Sequence, residues 1–188
     1  MLNSKLPGKG TNIFTLMSKM AQDHGAINLA QGFPDFDGPT ALLEGVARHI
    51  AMGHNQYAPL AGVTELREQI AVKVLDLYGC QVDPEGEVVV TPGATEAIFI
   101  AITAVVNPGD EVIVFDPAYD TYEPGVTLNG GITRHIGLRY PGFAIDWQQV
   151  RDTINDRTRL IILNTPHNPT GTLWSDEDIR NLREAIAG

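Results

Sequence analysis

The chain has 188 residues, 43% of them hydrophobic, and a formal net charge of −10 from 13 Lys and Arg against 23 Asp and Glu. That acidity argues against a nucleic-acid partner, whose phosphate backbone wants the opposite sign, while the length suffices for one packed domain. Cys80 is the only cysteine, which excludes an internal disulfide framework, and no Cys/His spacing suits a metal.

The opening MLNSKLPGKG has no apolar stretch of the kind a secretory leader needs. The longest apolar run, Ala97 to Val106, falls far short of the ~20 residues of a membrane span. A cytoplasmic protein with no membrane partner is therefore expected. Residues 11–22 read as an amphipathic entry helix carrying Phe14, Met17 and Met20. The short apolar piece Ala26 to Leu29 follows, then the Gly/Pro-rich loop QGFPDFDGP. Pro39 suits the first position of a helix running to about Met52, with Leu42, Val46 and Ile50 as its stripe. After NQYAPLAG, Val63, Leu66, Ile70, Val74 and Leu77 keep a helical rhythm over 63–78, and Gly79 ends it.

From residue 87 the pattern changes to strand, turn, helix, strand. Val88 to Val90 is a short β-branched run, and Ala94 to Val106 is a helix with almost no polar face, expected to be buried. Strands are predicted at Val112 to Phe115, Ile132 to Ile136 and Arg159 to Leu163. A helix near 119–129 stops at Gly130-Gly131. Asp146 with Gln149 resembles a capping box opening a short helix, and Ser175 with Asp178 caps a last one that reaches the final residue. Continuous apolar strands separated by helices indicate an α/β fold, with a mainly parallel sheet covered on both faces. Such a sheet should continue with another strand beyond Gly188, so a truncated protein is expected.

Three loops follow strands and could carry chemistry. Thr91-Pro92-Gly93-Ala94-Thr95-Glu96 leads into an apolar helix whose first N–H groups and dipole form a seat for a phosphate dianion; Gly93 and Ala94 allow close approach and Thr95 adds a hydroxyl. Asp116-Pro117-Ala118-Tyr119 lies at the carboxyl edge of the sheet, where ligands of open α/β sheets bind, and Tyr119 could lay its ring on a flat heteroaromatic group. Asn164-Thr165-Pro166-His167-Asn168-Pro169-Thr170-Gly171 is stiffened by two X-Pro steps and can hold the Asn168 amide as a donor. His167 reads as an ordinary loop histidine. No GxGxxG follows a strand and no GxxxxGK[ST] occurs, so the common nucleotide loops are absent.

The succession QGFPDF, NQYAPLAG, TPGATEA, DPAYDTYEP and NTPHNPTG resembles the class I/II (fold-type I) aminotransferases. Within them it is most similar to the group containing methionine and kynurenine aminotransferases. The resemblance runs from about Phe14 to the end of the chain. It implies an incomplete large domain over 41–188, preceded at 1–40 by the helical start of a small domain and a substrate loop. It also implies pyridoxal 5'-phosphate as cofactor, with its phosphate on Gly93, Ala94 and Thr95, Tyr119 stacked on the ring and Asn168 bonded to the phenolic oxygen. By the same resemblance Gly32 and Asn168 would hold the substrate carboxylate, Phe14 and Tyr122 would lie by its side chain, and Tyr57 would reach the neighbouring site of a homodimer. The partners implied are an amino acid, methionine or aromatic first, and a 2-oxo acid.

The family's chemistry also needs a lysine that binds the cofactor covalently, an acid opposite the pyridine nitrogen and an arginine for the carboxylate. In that family all three follow the NPTG loop. Lys5, Lys9, Lys19 and Lys73 are the only lysines and all precede the phosphate loop. The chain by itself is therefore expected to hold no catalytic residue and to be inactive. Two rival readings remain at this level: a cysteine-conjugate β-lyase of the same fold, and a degenerate ligand-binding module.

Overall fold

The computed structural model describes residues 3–6, 10–32 and 34–187. The expectations placed on Lys9, on Phe33 of QGFPDF and on Gly188 lie outside the described residues. The chain divides into two compact units, Gly8–Val90 and Thr91–Gly188, with Met1–Pro7 counted in the second.

The first unit is helical. Helix α1 (Ile13–Asp23) starts where the Asn12 side chain accepts the Phe14 N–H at 2.7 Å. Pro39 is the N-cap of α2 (Thr40–Ala51) rather than its first residue, its ring fixing the entry φ at −54°. Helix α3 (Thr64–Tyr78) ends at Gly79, whose φ of 64° is the left-handed geometry a C-cap glycine supplies without a Cβ penalty. Leu42, Val46, Ile50, Val63 and Leu66 form the stripes the periodicity predicts, yet all are exposed. What is buried on α3 is Arg67, which donates from Nη1 to the Glu85 carbonyl at 3.4 Å. The predicted strand at Val88 to Val90 does not form. Its backbone makes a single bond, from the Val90 N–H to the Ala61 carbonyl at 2.9 Å, and a strand exists only where a partner supplies a ladder.

The second unit carries the sheet. Helix α4 (Ala94–Val105) is followed by β1 (Glu111–Asp116), α5 (Tyr122–Leu128), β2 (Ile132–Gly137), α6 (Trp147–Thr153), β3 (Thr158–Ile161) and α7 (Asp176–Ile186). The three strands are all parallel in the order β2-β1-β3, with a register shift where β1 meets β3. Because side chains alternate along a strand, β1 feeds two cores. Val112 and Val114 pack with Ile102, Val106, Tyr122 and Val126 of the α4–α5 side; Ile113 and Phe115 pack with Ile136, Val150 and Trp174 of the α6–α7 side. The sheet is thus covered on both faces, as the continuous apolar strands predict.

Three local expectations are corrected. Helix α4 buries Ile102, but Phe99, Ile100 and Val105 are exposed, because packing reaches it from one side only among the described residues. Helix α5 begins at Tyr122, not 119, so residues 117–121 form a longer loop after β1. Helix α7 ends at Ile186. The predicted caps are present in different degrees. Ser175 and Asp178 form a full capping box, while the Asp146 carboxylate accepts the Gln148 and Gln149 amides.

Candidate functional site

The polypeptide leaves β1 and β3, which are adjacent, toward opposite faces. After β1 it enters α5, on the Val112/Val114 side. After β3 it enters α7, on the Ile113/Phe115 side. Adjacent strands that part in this way open a crevice at their carboxyl ends, the usual ligand site of open α/β sheets. The two loops flanking that crevice are 117–121 and 162–175, which carry Tyr119 and Asn168.

The mouth of α4 meets the first of these loops. Gly93 is the N-cap with φ 91°, a left-handed value that suits only glycine, and no side-chain cap bond occupies the helix start. Gly93 donates its N–H to the Thr91 carbonyl at 2.7 Å and accepts the Thr91 hydroxyl at 3.0 Å, which shapes the turn. The first intrahelical bond, from the Ala97 N–H to Gly93, leaves the N–H groups of Ala94, Thr95 and Glu96 ahead of it. Free amides and the positive end of the dipole form an anion seat. Thr95 Oγ1 lies 3.2 Å from the Tyr119 hydroxyl, so the helix mouth and the loop after β1 are in direct contact.

Tyr119 packs edge-on against Tyr122, ring centroids 5.7 Å apart at 77°. Tyr122 is buried in the α4–α5 core, and burial, helped by the neighbouring Tyr119, pushes its phenol up from the ordinary tyrosine value. The loop is anchored at its root by Asp116, whose carboxylate meets His135 Nδ1 at 2.9 Å; His135 Nε2 lies 4.0 Å from Glu123 of α5. On the other strand, the Asn168 N–H donates to Asn164 Oδ1 at 2.7 Å and the Asn168 side chain is exposed. His167 is buried, its Nδ1 2.9 Å from Thr170 Oγ1.

The remaining candidates belong to the first unit and are described by themselves. Phe14 lies on α1 beside Asn12, Ser18, Lys19 and Gln31 in an open hollow. Gly32 has open space where a Cβ would stand, and Tyr57 projects fully into solvent. Lys19 and Lys73 of this unit are exposed, Lys19 pairing with Asp23 at 3.3 Å, and Lys5, counted in the second unit, is exposed as well.

Sequence reading overlooked Asn164, His135 and the structural use of His167. Asn164 could have been found: an Asn that opens a loop and precedes X-Pro steps commonly bonds a backbone amide a few residues on. His135 gives no such signal, because its partner Asp116 is brought beside it only by the β1–β2 register.

No helix among the described residues is long and apolar enough to cross a membrane, and no group of three or more His, Cys, Asp or Glu there could hold a metal ion. The family model for aminotransferase class I and II matches residues 24–187. The chain is 57% identical over 185 residues to methionine aminotransferase of Escherichia coli, covering 98% of this chain and 48% of that protein. It is 34% identical over 191 residues to human kynurenine–oxoglutarate transaminase 3, covering 96% and 42%. A crystal structure from Escherichia coli, described as having a methionine aminotransferase function, superposes with a TM-score of 0.96 at 56% identity, over 100% of this chain and 49% of that one. The chain thus spans about half the length of the curated relatives it matches. Fold, motif order and identity agree, and the chain belongs to the class I and II aminotransferase family.

Proposed function

We propose that the intact polypeptide is a pyridoxal-phosphate-dependent aminotransferase that moves an amino group from an amino acid, methionine or an aromatic one first, to a 2-oxo acid. The observation that carries this reading is the contact of Thr95 with Tyr119, which sets an amide-rich helix mouth beside an aromatic ring where β1 and β3 part. The donor set suits the cofactor: backbone N–H groups and a hydroxyl for a dianion, a ring face for a pyridine, an amide for a phenolate. Bound there, pyridoxal phosphate would supply the electron sink for bond breaking at the substrate α-carbon.

The protein's part is binding and orientation. Gly93, Ala94 and Thr95 would seat the phosphate, Tyr119 would fix the plane of the ring, and Asn168 would donate to its phenolic oxygen. The Gly32 backbone with Asn168 would take the substrate carboxylate. Phe14 and Tyr122 would lie by the substrate side chain, and Tyr122, buried, would also back Tyr119 from the core. Tyr57, exposed on its loop, would complete the neighbouring site of a homodimer. Residues 1–40 would belong to the small domain and 41–188 to the large one, in a cytoplasmic enzyme. The similar proteins carry aminotransferase names, which favours transfer over β-elimination and over a non-catalytic module.

Borohydride trapping tests the assignment. With pyridoxal phosphate, the intact polypeptide should be reduced at a single lysine outside residues 1–188, and should pass the amino group of methionine to a 2-oxo acid. The 188-residue chain alone should yield no specific adduct. Specific labelling of Lys5, Lys9, Lys19 or Lys73 would overturn the reading.

A further inference from the structure

We infer that His167 is a positioning residue that holds the Asn168 amide in place for its ligand; the inference rests on the role proposed above for Asn168. His167 is 5% exposed, whereas Pro166 and Asn168 on either side of it are exposed. The loop therefore turns one side chain inward and presents the next outward. The inward ring lines a small hollow with Leu138, Ile145, Leu173 and Trp174, and a buried imidazole is tolerated there only if its polar atoms are satisfied.

The bonds around the ring determine what it does. Thr170 donates its hydroxyl proton to Thr172 Oγ1 at 3.0 Å. His167 Nδ1 is hydrogen-bonded to the same Thr170 Oγ1 at 2.9 Å, and that oxygen also accepts the Thr172 N–H at 3.3 Å. The same residue is the backbone pivot of the reversal. Its N–H donates to the Thr172 carbonyl at 2.9 Å, and its carbonyl accepts the Gly171 N–H at 2.7 Å. Directly after it, the Asn168 N–H is tied to Asn164 Oδ1 at 2.7 Å. Side chain and backbone of His167 thus close the loop from which Asn168 projects. A small rotation at that root would displace the amide by enough to lose a hydrogen bond, because such bonds weaken steeply with distance and angle.

Among the described residues the hydrogen bonds of His167 stay within 167–172, and none reaches the helix mouth or Tyr119. Its effect must therefore appear in what Asn168 does rather than as a separate acid–base limb.

The test uses the intact polypeptide loaded with pyridoxal phosphate and follows the pH titration of the cofactor's long-wavelength absorbance. An amide donor on the phenolic oxygen favours the deprotonated chromophore, so Asn168→Ala should raise the midpoint by about one pH unit or more. His167→Ala should raise it in the same direction by roughly half a unit, and adding it to Asn168→Ala should give no further shift. His167→Asn places an amide N–H near the Nδ1 position and should restore the wild-type midpoint, while Thr170→Val should reproduce His167→Ala. A second readout is independent of cofactor. In His167→Ala, hydrogen exchange at Asn168 and Gly171 should accelerate, and in His167→Asn it should return to wild type. If Asn168→Ala shifts the titration and His167→Ala superimposes on wild type, the positioning role is refuted while the cofactor site stands. If Asn168→Ala itself leaves the titration unmoved, the proposed cofactor site and this inference fall together. Should His167→Ala not fold, Thr170→Val and His167→Asn still decide the matter.

Discussion

At the scale of single residues, the contact between Thr95 and Tyr119 is the joint of the proposed cofactor site. It spans 24 positions of sequence and links the helix mouth to the loop after β1. A half-exposed hydroxyl pair of this kind contributes about 1 kcal/mol net. Thr95→Val and Tyr119→Phe should therefore each weaken pyridoxal phosphate binding to the intact polypeptide roughly fivefold. Because they remove the same bond, the double variant should lose much less than the product of the two. Tyr119→Ala, which also removes the ring packed on Tyr122, should lose more than either. Titration by fluorescence quenching measures all four, and strictly multiplicative losses would show that the two side chains act apart. The residues of this site were legible in the sequence because each carries its chemistry locally: a glycine before a helix, a tyrosine after a strand, an asparagine between prolines. His167 was not, since a polar ring becomes structural only when the loop folds over it.

At the scale of elements, the sheet is fastened at the edge opposite the site. Glu111, at the start of β1, is fully shielded from solvent. Its carboxylate accepts from Arg134 of β2 through Nε and Nη2, both at 2.7 Å, from Arg157 before β3 at 2.6 Å, and from Asn155 Nδ2 at 3.0 Å. One side chain therefore ties all three strands. The Arg134 hydrogen bond, then that of Asn155, holds the Glu111 carboxyl at about 2, below its ordinary 4.5, against the opposing effect of burial. A depressed carboxyl stabilises the fold fully above its ordinary value and loses that contribution as pH falls from about 4.5 to about 2. Thermal melts of the intact polypeptide should accordingly drop over that window. Glu111→Gln should melt several degrees lower at neutral pH and show a flatter acid limb. An unchanged acid limb in Glu111→Gln would mean that another group governs it. At the other end of the unit, burial pushes the Asp178 carboxyl up, but bonds from Ser175 and Trp147 outweigh it and leave it lowered. The elements themselves were largely legible. Helical periodicity and caps located α1, α2, α3, α6 and α7 to within a few residues, and β-branched runs located the three strands. Helix α5 starts three residues later than read, and two further elements were misread for one reason, that their structure depends on a partner the local pattern does not contain. Val88 to Val90 has strand-forming residues without a ladder, and α4 has an apolar surface packed from one side.

At the scale of the whole molecule, the distribution of apolar surface decides how these residues behave in isolation. Folded monomers rarely leave contiguous apolar faces open, and an unpaired sheet edge is a template for further pairing. Here Ile13, Leu16 and Met20 on α1, and Leu42, Val46 and Ile50 on α2, are all exposed, and Ile27, Leu29 and Leu60 are almost wholly so. In the sheet unit a hollow beside β3 is lined by Leu160, Ile161, Leu163, Leu182 and Ile186, at the edge where no further strand pairs among the described residues. The net charge of −10 opposes association but is spread over a chain that exposes apolar faces in both units. The 188-residue chain expressed alone should therefore associate. Light scattering should show species larger than a monomer, a hydrophobic dye should bind strongly, and raised salt should worsen both as the charge is screened. Supplying the missing half as a second polypeptide should suppress dye binding, because the same faces then become interior. A monodisperse monomer that melts cooperatively and leaves the dye dark would show instead that these faces are tolerated in water, and that the two units close on themselves without the remainder of an aminotransferase.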